Sequence, residues 1–323
     1  MKKARFASTA VGLLLLLFVI SLLSLRFGAV SLPLSDIVKE LFGGEALVLK
    51  YRLPRLAIAV PVGVNMAVSG AILQGITRNP LAAPDVVGVS AGGGFAAVIV
   101  LLLYPGSGAL LPFAAFVGAV AAAAVVYAAS YQRGGVRPLR LALTGVAVST
   151  GFQAMITFLI VKYALSSSQA LVWLKGSLYA RSWQHVELLW PWTLAGCAIA
   201  LLGSRHLNAL QLDEQTVRGI GMKVQAARLA LLATAVGLAA SAVAIAGTIG
   251  FVGLVVPPLA RRLVGSDNKR LLPVAALLGA ALVSLADLLG RVAHPPLEIP
   301  AGILTALIGA PYFAYVLFVR ISR

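Results

Sequence analysis

Long, uninterrupted apolar segments are the feature of this chain that most limits its fold. A helix needs about 20 mainly apolar residues to cross a bilayer, and only helices and closed barrels satisfy their backbone groups in lipid. Because the runs are continuous rather than alternating, they predict helices and not a barrel. The sequence therefore predicts an all-α polytopic membrane protein, with ten transmembrane helices in one bundle and a single domain over residues 1–323. The predicted spans are residues 7–25, 53–73, 84–103, 109–130, 139–161, 186–202, 229–245, 247–263, 271–289 and 299–319.

Composition excludes several other classes of protein. Of the 323 residues, 60% are hydrophobic and only 11% are charged, whereas soluble domains carry about 25% charged residues. This shortage of charge excludes a soluble enzyme, a disordered chain and a nucleic-acid binder. The net charge is +16, and with ten spans 17 of the 26 Lys and Arg residues fall on the side of the N-terminus. By the positive-inside rule, this bias predicts that both termini are cytoplasmic.

The sequence offers no familiar catalytic, metal or nucleotide motif. Cys197 is the single cysteine, and His185, His206 and His294 are far apart along the chain. No metal-ligand spacing results, and no Gly-x-x-x-x-Gly-Lys-Ser/Thr phosphate loop occurs. We therefore expect no catalytic residue, no metal site and no cofactor on this chain. If the chain moves a solute, a partner supplies the energy.

Polar residues inside the predicted spans have two interpretations. Asp287 is the only acid well inside a span, and it precedes Arg291 by four positions, so the two side chains can pair on one helix face. Charged residues in spans mark ion pathways by default, which leaves an ion-coupled secondary carrier as an alternative, although a structural ion pair is favoured. Asn65, Ser69 and Gln74 are expected to form hydrogen bonds between helices.

A polar stretch at about residues 208–221 lies on the predicted cytoplasmic side. Its pattern predicts a short helix, a glycine break and a second helical element. Such a segment either rests on the bilayer surface or docks into a partner.

The chain carries a series of motifs at residues 52–56, 69–74, 78–84, 88–90, 173–178, 247–257, 271–273, 286–287 and 300–311. Together these motifs resemble the FecCD family, and the likeness covers nearly the whole chain in the same order. The members of this family are permease subunits of ATP-binding-cassette (ABC) importers for iron–siderophore complexes, haem and vitamin B12. The segment at 294–300 looks most like the ferric dicitrate permease subunits.

The resemblance implies a fold, a function and a set of partners. The fold is the type II ABC importer permease fold, in the bacterial inner membrane. The implied function is import of an iron(III) chelate of the siderophore or ferric dicitrate type by alternating access, with haem or vitamin B12 as the alternative cargo. The implied partners are a second permease subunit in a homodimer or heterodimer, two cytoplasmic subunits that hold ATP, and a periplasmic binding protein. The chain itself is not an enzyme and binds no nucleic acid; membrane lipid surrounds it.

The resemblance also implies roles for particular residues. The arginines expected to face outward and to dock the binding protein are Arg52, Arg55 and Arg291. The alternative is that they contact lipid phosphate. A cytoplasmic gate is formed by Asn79, Leu81, Pro138 and Leu139. Coupling to the ATPase is assigned to Leu210, Leu212, Asp213, Val217, Gly219 and Gly221.

Overall fold

The computed structural model describes residues 2–28, 31–43, 47–132, 135–212, 217, 219, 221–295 and 297–321. These ranges are almost entirely helical. A π-helix at Val48–Arg52 leads directly into the third α-helix. The α-helices in the described ranges are α1 (Lys2–Arg26), α2 (Leu34–Gly43), α3 (Leu53–Thr77), α4 (Val89–Leu103), α5 (Leu111–Ser130), α6 (Pro138–Lys162), α7 (Ser168–Leu174), α8 (Trp183–Leu202), α9 (Ser204–Ala209), α10 (Val224–Ala246), α11 (Val252–Val264), α12 (Asn268–Val292) and α13 (Ala301–Ile321).

Each predicted span coincides with a helix, but two of these helices, α4 and α11, are short. By length and composition, seven helices in the described ranges can cross a membrane: α1, α3, α5, α6, α8, α10 and α12. Helix α4 has 15 residues, and α11 has 13. At 1.5 Å per residue such helices extend about 20–22 Å, less than the roughly 30 Å of a bilayer core. Helix α13 has 21 residues but is not among the seven. The predicted count of ten spans is therefore not confirmed.

In two predicted spans, the α-helix begins several residues after the apolar run begins. Before α4, Pro84–Val87 forms a 3-10 helix, and Gly88 then has a φ of +84°. Before α11, Gly247 and Phe251 also have positive φ values, +74° and +67°. A residue with such a backbone cannot continue a right-handed helix. The expectation of helix throughout 84–103 and 247–263 is therefore wrong at the first few residues of each.

Helix α3 forms the centre of the bundle. Most of its side chains are buried, including polar Asn65, Ser69 and Gln74. Asn65 and Ser69 donate hydrogen bonds to α10 over 3.1 and 2.7 Å. Gln74 donates to two backbone carbonyls of α11, each over 3.2 Å. The prediction that these three residues form bonds between helices is confirmed, and it accounts for their presence in an apolar interior.

Glycines allow α3 to approach two neighbours closely. A Cβ atom on Gly63 would lie 2.1 Å from the carbonyl oxygen of Gly279 in α12. A Cβ atom on Gly70 would lie 2.0 Å from the carbonyl oxygen of Gly253 in α11. Because any side chain would collide with backbone at these crossings, only glycine fits. Helices α3 and α12 therefore pack with their backbones in near contact.

The perimeter of the bundle is apolar. On α1, Leu15 and Phe18 are each 60% exposed, and on α6 the exposed side chains include Phe158 and Val161. An apolar surface of this kind suits contact with lipid rather than water. The peripheral helices α1, α6 and α8 thus surround the more deeply buried α3, α10 and α12.

A small β-hairpin departs from the all-helical prediction. Tyr131–Gln132 (β1) and Gly135–Val136 (β2) pair antiparallel between α5 and α6. Each strand has only two residues. The buried Arg228 at the start of α10 donates a hydrogen bond to the Val136 carbonyl over 2.7 Å, which attaches the hairpin to the bundle.

Candidate functional site

Buried charged side chains join α3 to α12 near the first turn of α3. We call Arg52, Arg55, Asp287, Arg291 and Glu298 the arginine cluster. The Arg55 guanidinium donates from Nε and Nη2 to both carboxylate oxygens of Asp287 over 2.8–3.0 Å. Its Nη1 donates to Glu298 Oε1 over 3.1 Å. The Arg55 side chain is only 12% exposed and that of Asp287 only 2%. Bidentate contacts of this kind are among the strong hydrogen bonds of proteins.

The other two arginines of the cluster attach α1. Arg291 Nη2 donates to the Ser24 carbonyl over 3.1 Å and also to the Ser24 hydroxyl. Arg52 Nη1 donates to the carbonyls of Leu25 and Arg26 over 2.5 and 2.9 Å. These carbonyls belong to the last turn of α1, where the helix leaves its acceptors unused. A cation at this end of a helix is also favoured by the helix dipole.

The ion pair predicted within α12 is present, but it is part of a larger group. Arg291 Nε lies 3.3 Å from Asp287 Oδ2, at the expected spacing of four residues. Arg55 makes the more extensive contact with Asp287, however, and it comes from a different helix. The prediction of an isolated pair is therefore corrected to a cluster, in which Asp287 is shared between two arginines.

The predicted docking arginines lie together but do not face outward. Arg52 and Arg291 are 7% and 6% exposed, and Arg55 is engaged by two carboxylates. In this conformation, acceptors within the chain draw all three side chains inward. Their role in docking a partner stays a prediction.

A chamber of about 610 Å³ opens among α6, α7, α13 and the two helix breaks. This volume is typical of small-molecule sites. Apolar side chains form much of its wall, and its polar lining includes Asp85, Ser90, Ser149, Gln153, Lys175 and Thr248. Ser90, Lys175 and Thr248 lie in the motifs noted above, but none of the six was predicted as a site residue, because they come from four separate segments that only the fold brings together.

Asp85 is fixed at the edge of the chamber by its neighbours. Its carboxylate accepts a hydrogen bond from the Ser90 hydroxyl. Its backbone carbonyl accepts from Ser149 Oγ of α6 over 3.1 Å. A Cβ atom on Gly145 would lie 1.7 Å from the Val86 carbonyl, so α6 packs closely against the break before α4. The chamber wall therefore joins α6 to the start of α4.

The first predicted gate pair lies in the turn that follows α3. Asn79 Oδ1 accepts a hydrogen bond from the Leu81 backbone N–H over 2.9 Å, which forms an Asx turn. The Asn79 carbonyl accepts from Ala82 N–H over 3.1 Å. Leu81 is 42% exposed. Local hydrogen bonds thus hold this turn in shape.

The second predicted gate pair begins α6. Pro138 occupies the first helical turn, where its missing N–H costs nothing, after an extended Arg137. Leu139 is 73% exposed. This pair is therefore placed on the surface at the end of a peripheral helix, and its function as a gate stays a prediction.

The predicted coupling stretch differs in its helix boundaries from the expectation. Helix α9 ends at Ala209, and residues 210–212 form turns rather than continuing the helix. Leu210 is buried, whereas Leu212 is 51% exposed. We call residues 204–212, which comprise α9 and these turns, the coupling segment. Helix α9 thus starts four residues before the predicted stretch of about 208–221 and ends within it.

The remaining coupling residues are described only in part. Asp213 lies outside the described residues. Val217 is helical and almost completely buried, and Gly219 is helical and exposed. Gly221 has a φ of +77°, so the predicted glycine break is located there. Their part in coupling stays a prediction.

Arg78 connects the end of α3 to the coupling segment. It is the residue after α3 and has a φ of +51°, which is unusual for a residue with a side chain. Its Nε donates to the Leu210 carbonyl over 2.8 Å, and its Nη2 donates to the Leu212 carbonyl. The turn with Asn79 therefore follows directly after the residue that holds the coupling segment.

Asn208 connects the coupling segment to the start of α12. Its Nδ2 donates to Asp267 Oδ1 over 2.9 Å. Its Oδ1 accepts from the backbone N–H and the side-chain amide of Asn268, over 2.9 and 2.7 Å. The hydrogen bond from Asn208 is the main reason that the pKa of Asp267 lies below its usual value. Burial acts in the opposite direction, while the hydrogen bond from the Lys269 N–H and the charges of Arg270 and Lys269 lower the pKa further. Asp267 also caps α12 by accepting from Lys269 N–H over 3.2 Å.

Residues 14–319 match the FecCD transport family. The chain belongs to this family. It is 44% identical over 310 residues to the Fe(3+)-citrate import system permease protein YfmE of Bacillus subtilis (strain 168), covering 94% of this chain and 93% of that protein. It is 40% identical over 303 residues to the Fe(3+) dicitrate transport system permease protein FecD of Escherichia coli (strain K12), covering 92% and 94%. The resemblance inferred from the motifs is confirmed.

A solved structure has the same fold. It is an inward-facing conformation of a metal-chelate type ABC transporter, and it superposes with a TM-score of 0.85 at 33% identity. The match covers 97% of this chain and 99% of the other. The arginine cluster, the chamber and the coupling segment are therefore parts of a transporter fold.

Proposed function

We propose that this chain is the membrane-spanning permease subunit of an ABC importer that carries an iron(III) chelate into the cytoplasm. Membership of the FecCD transport family carries this proposal. Two full-length relatives that import ferric citrate support the cargo class. A chelate of the ferric dicitrate type is the specific cargo that we propose first.

The proposed assembly distributes the work among several chains. This chain supplies one half of the pathway as a single domain, and a second permease subunit supplies the other half. Two cytoplasmic subunits bind ATP, and a periplasmic protein delivers the chelate. The chain crosses the bacterial inner membrane ten times with both termini in the cytoplasm, which requires that α13 and the short helices α4 and α11 also cross. It binds no cofactor of its own.

The proposed mechanism is alternating access. The chamber bounded by Asp85 and Lys175 lies beside two helix breaks, before α4 and α11, where the chain can bend without unmaking a helix. The partner ATPases act on the coupling segment, and the turn with Asn79 and Leu81 opens or closes the cytoplasmic end. The chelate passes through without any chemical change.

Docking of the binding protein involves an exchange of partners at the arginine cluster. Arg52, Arg55 and Arg291 have acceptors within the chain in this conformation. We propose that carboxylates of the binding protein compete with Glu298 for Arg55, since Glu298 is the more exposed of its two acids, at 25% against 2% for Asp287. Charge pairs at an interface rim steer association and weaken as salt rises.

The geometry does not favour the ion-coupled carrier. Such a carrier needs an acid that gains and loses a proton while ions pass. Asp287 instead lies between Arg55 and Arg291, each within 3.3 Å, and is almost completely buried. Both of its carboxylate oxygens are thus engaged by guanidinium groups. This arrangement suits a structural anchor and not a proton relay.

Reconstituted uptake tests the proposal. The chain is co-expressed with candidate permease, ATPase and binding-protein partners from the same organism and placed in liposomes, and uptake of radiolabelled iron(III)–citrate is measured. We expect uptake that requires ATP on the ATPase side and continues when an uncoupler removes the proton gradient. Uptake driven by a proton gradient without ATP, or by this chain alone, would contradict the proposal. A matched assay with iron(III)–hydroxamate distinguishes the cargo classes.

A further inference from the structure

The coupling segment is attached to the two helices that carry the arginine cluster at their far ends. Arg78 attaches it to α3, and Asn208 attaches it to α12. We propose that Arg78 and Asn208 are positioning residues that convert a displacement of the coupling segment into a movement of α3 and α12. This inference rests on the proposed function, because it describes how that function is coupled to ATP.

Arg78 is suited to this task by its acceptors. The turns after α9 leave the carbonyls of Leu210 and Leu212 without a backbone donor in the described ranges. The Arg78 guanidinium donates to both of them. Charged donors make stronger hydrogen bonds than neutral donors, and a forked guanidinium fixes direction as well as distance. The segment therefore cannot shift relative to the end of α3 without carrying Arg78 with it.

The backbone at Arg78 supports the same conclusion. A left-handed conformation disfavours residues other than glycine, asparagine and aspartate, and it persists where the surroundings determine it. At Arg78 that conformation ends α3 and aims the side chain at the coupling segment. Asn79 follows immediately and shapes the next turn through its bond to Leu81. A pull on Arg78 therefore acts directly on the turn that is predicted to gate the pathway.

Asn208 provides the second attachment. Its side chain makes three hydrogen bonds to Asp267 and Asn268, and Asn268 is completely buried at the start of α12. An amide side chain has both donors and an acceptor, and Asn208 uses both kinds here. The coupling segment is thus attached to both helices by side chains. Arg78, at the end of α3, donates to the segment, whereas Asn208 lies in the segment and bonds to the start of α12.

Helices α3 and α12 behave as one unit because they are also joined at two other levels. Gly63 and Gly279 bring their backbones into near contact. Arg55 and Asp287 join them again at the arginine cluster. Close-packed elements transmit displacement rather than absorbing it. The path therefore runs from the coupling segment through this pair of helices to the arginine cluster, and coupling between two such sites acts in both directions.

The test compares Arg78→Gln with Arg262→Gln, which removes an exposed arginine from the end of α11. Both variants are studied in the complete transporter, and the ratio of ATP hydrolysed to iron(III)–citrate taken up is measured. We expect Arg78→Gln to raise this ratio about tenfold, because a charged donor to two carbonyls is lost. Arg78→Lys, which restores the charge with one donor group, should recover part of the loss. An unchanged ratio in Arg78→Gln would overturn the proposal.

A second measurement does not depend on transport. Hydrogen–deuterium exchange of residues 204–212 in the purified complex reports directly whether the segment is held. Arg78→Gln and Asn208→Ala should each speed exchange there about tenfold relative to Arg262→Gln. If the wild-type complex takes up no iron chelate, the proposed function fails, and exchange still decides the positioning role. Exchange at the wild-type rate in both variants would reject that role even if uptake is normal.

Discussion

The arginine cluster and the coupling segment hold opposite ends of the same two helices by different chemistry. At the arginine cluster, Arg55 pairs with carboxylates that are themselves side chains. At the coupling segment, Arg78 donates to backbone carbonyls, and Asn208 bonds as a neutral amide. One acceptor of Arg55, the Glu298 carboxylate, is a partly exposed side chain that a partner's carboxylate can replace, whereas both acceptors of Arg78 are carbonyls fixed in the backbone of the coupling segment. The arginine cluster can therefore exchange an acceptor with a partner protein, whereas the coupling segment stays attached to its helices.

The acidic side chains are more deeply buried at the arginine cluster than at the coupling segment. Asp287 is 2% exposed, and its carboxylate contacts both Arg55 and Arg291. Asp267 is 44% exposed, and water can solvate it if a partner is lost. Buried ion pairs add little net stability, but removal of one member leaves an uncompensated charge and costs much more. Single substitutions should thus be far more damaging at the arginine cluster than at the coupling segment.

The largest effect is expected for Asp287→Asn. This change leaves Arg55 and Arg291 without their shared acid, at a cost of about 3–5 kcal/mol in the free energy of unfolding. Asp36→Asn is the control, because Asp36 pairs with Lys39 over 3.9 Å on an exposed helix, where such a pair is worth about 0–1 kcal/mol. Thermal unfolding in detergent micelles measures both. Equal melting temperatures for the two variants would show that the cluster is not the stabilising end.

A smaller effect is expected for Gly63→Ala, which tests the connection between the two ends. The added methyl group would lie 2.1 Å from the Gly279 carbonyl, so α3 and α12 must separate. Overpacking of this kind costs about 1–3 kcal/mol. Gly12→Ala is the matched control, since nothing lies within 4 Å of that position. A Gly63→Ala variant as stable as the control would contradict the close approach of these helices.

The helices of this fold could largely be predicted from the sequence, because lipid and a buried interior both require apolar runs. Their boundaries could not be predicted where local backbone geometry decides them. Gly88 and Phe251 adopt positive φ values, so α4 and α11 begin only after them, and a hydropathy pattern carries no information about backbone angles. The polar residues Asn65 and Ser69 were correctly interpreted, because a buried polar group in a span requires a partner helix.

The candidate site was predicted less completely, since its contacts join distant parts of the chain. Arg55 and Asp287 were both identified, but their pairing across 232 residues was not. Arg78 meets Leu210 across 132 residues, and nothing local in the sequence indicates it. Asp267 did carry a local signal, because an aspartate directly before an apolar helix is a typical N-cap. The partner that lowers its pKa, Asn208, had no such signal.

The next prediction sharpens the idea that the arginine cluster exchanges partners. Glu298→Gln removes the more exposed acid from Arg55 and should increase the affinity for an acidic binding protein roughly threefold to tenfold, with the larger gain at low salt. Glu187→Gln is the control, because it changes the same charge on exposed Glu187 in the first turns of α8. Biolayer interferometry across salt concentrations measures the affinity. A weaker complex for Glu298→Gln would indicate that Glu298 orients Arg55 rather than competing for it.

The smallest effect is expected for Asp267→Asn at the coupling segment. Asparagine also caps helices, so the variant loses mainly the charge beside α12, worth about 0.3–1 kcal/mol. The pKa of Asp267 is lowered in the folded protein, chiefly by the hydrogen bond from Asn208. A lowered pKa contributes stability that is present above the unfolded value of about 3.9 and is lost as the pH falls through the folded value. The difference in melting temperature between wild type and variant should therefore be constant from about pH 5 to 8 and disappear in more acidic solution. A difference that persists in acid would mean that the carboxylate charge does not stabilise this end, and that shape alone holds the coupling segment to α12.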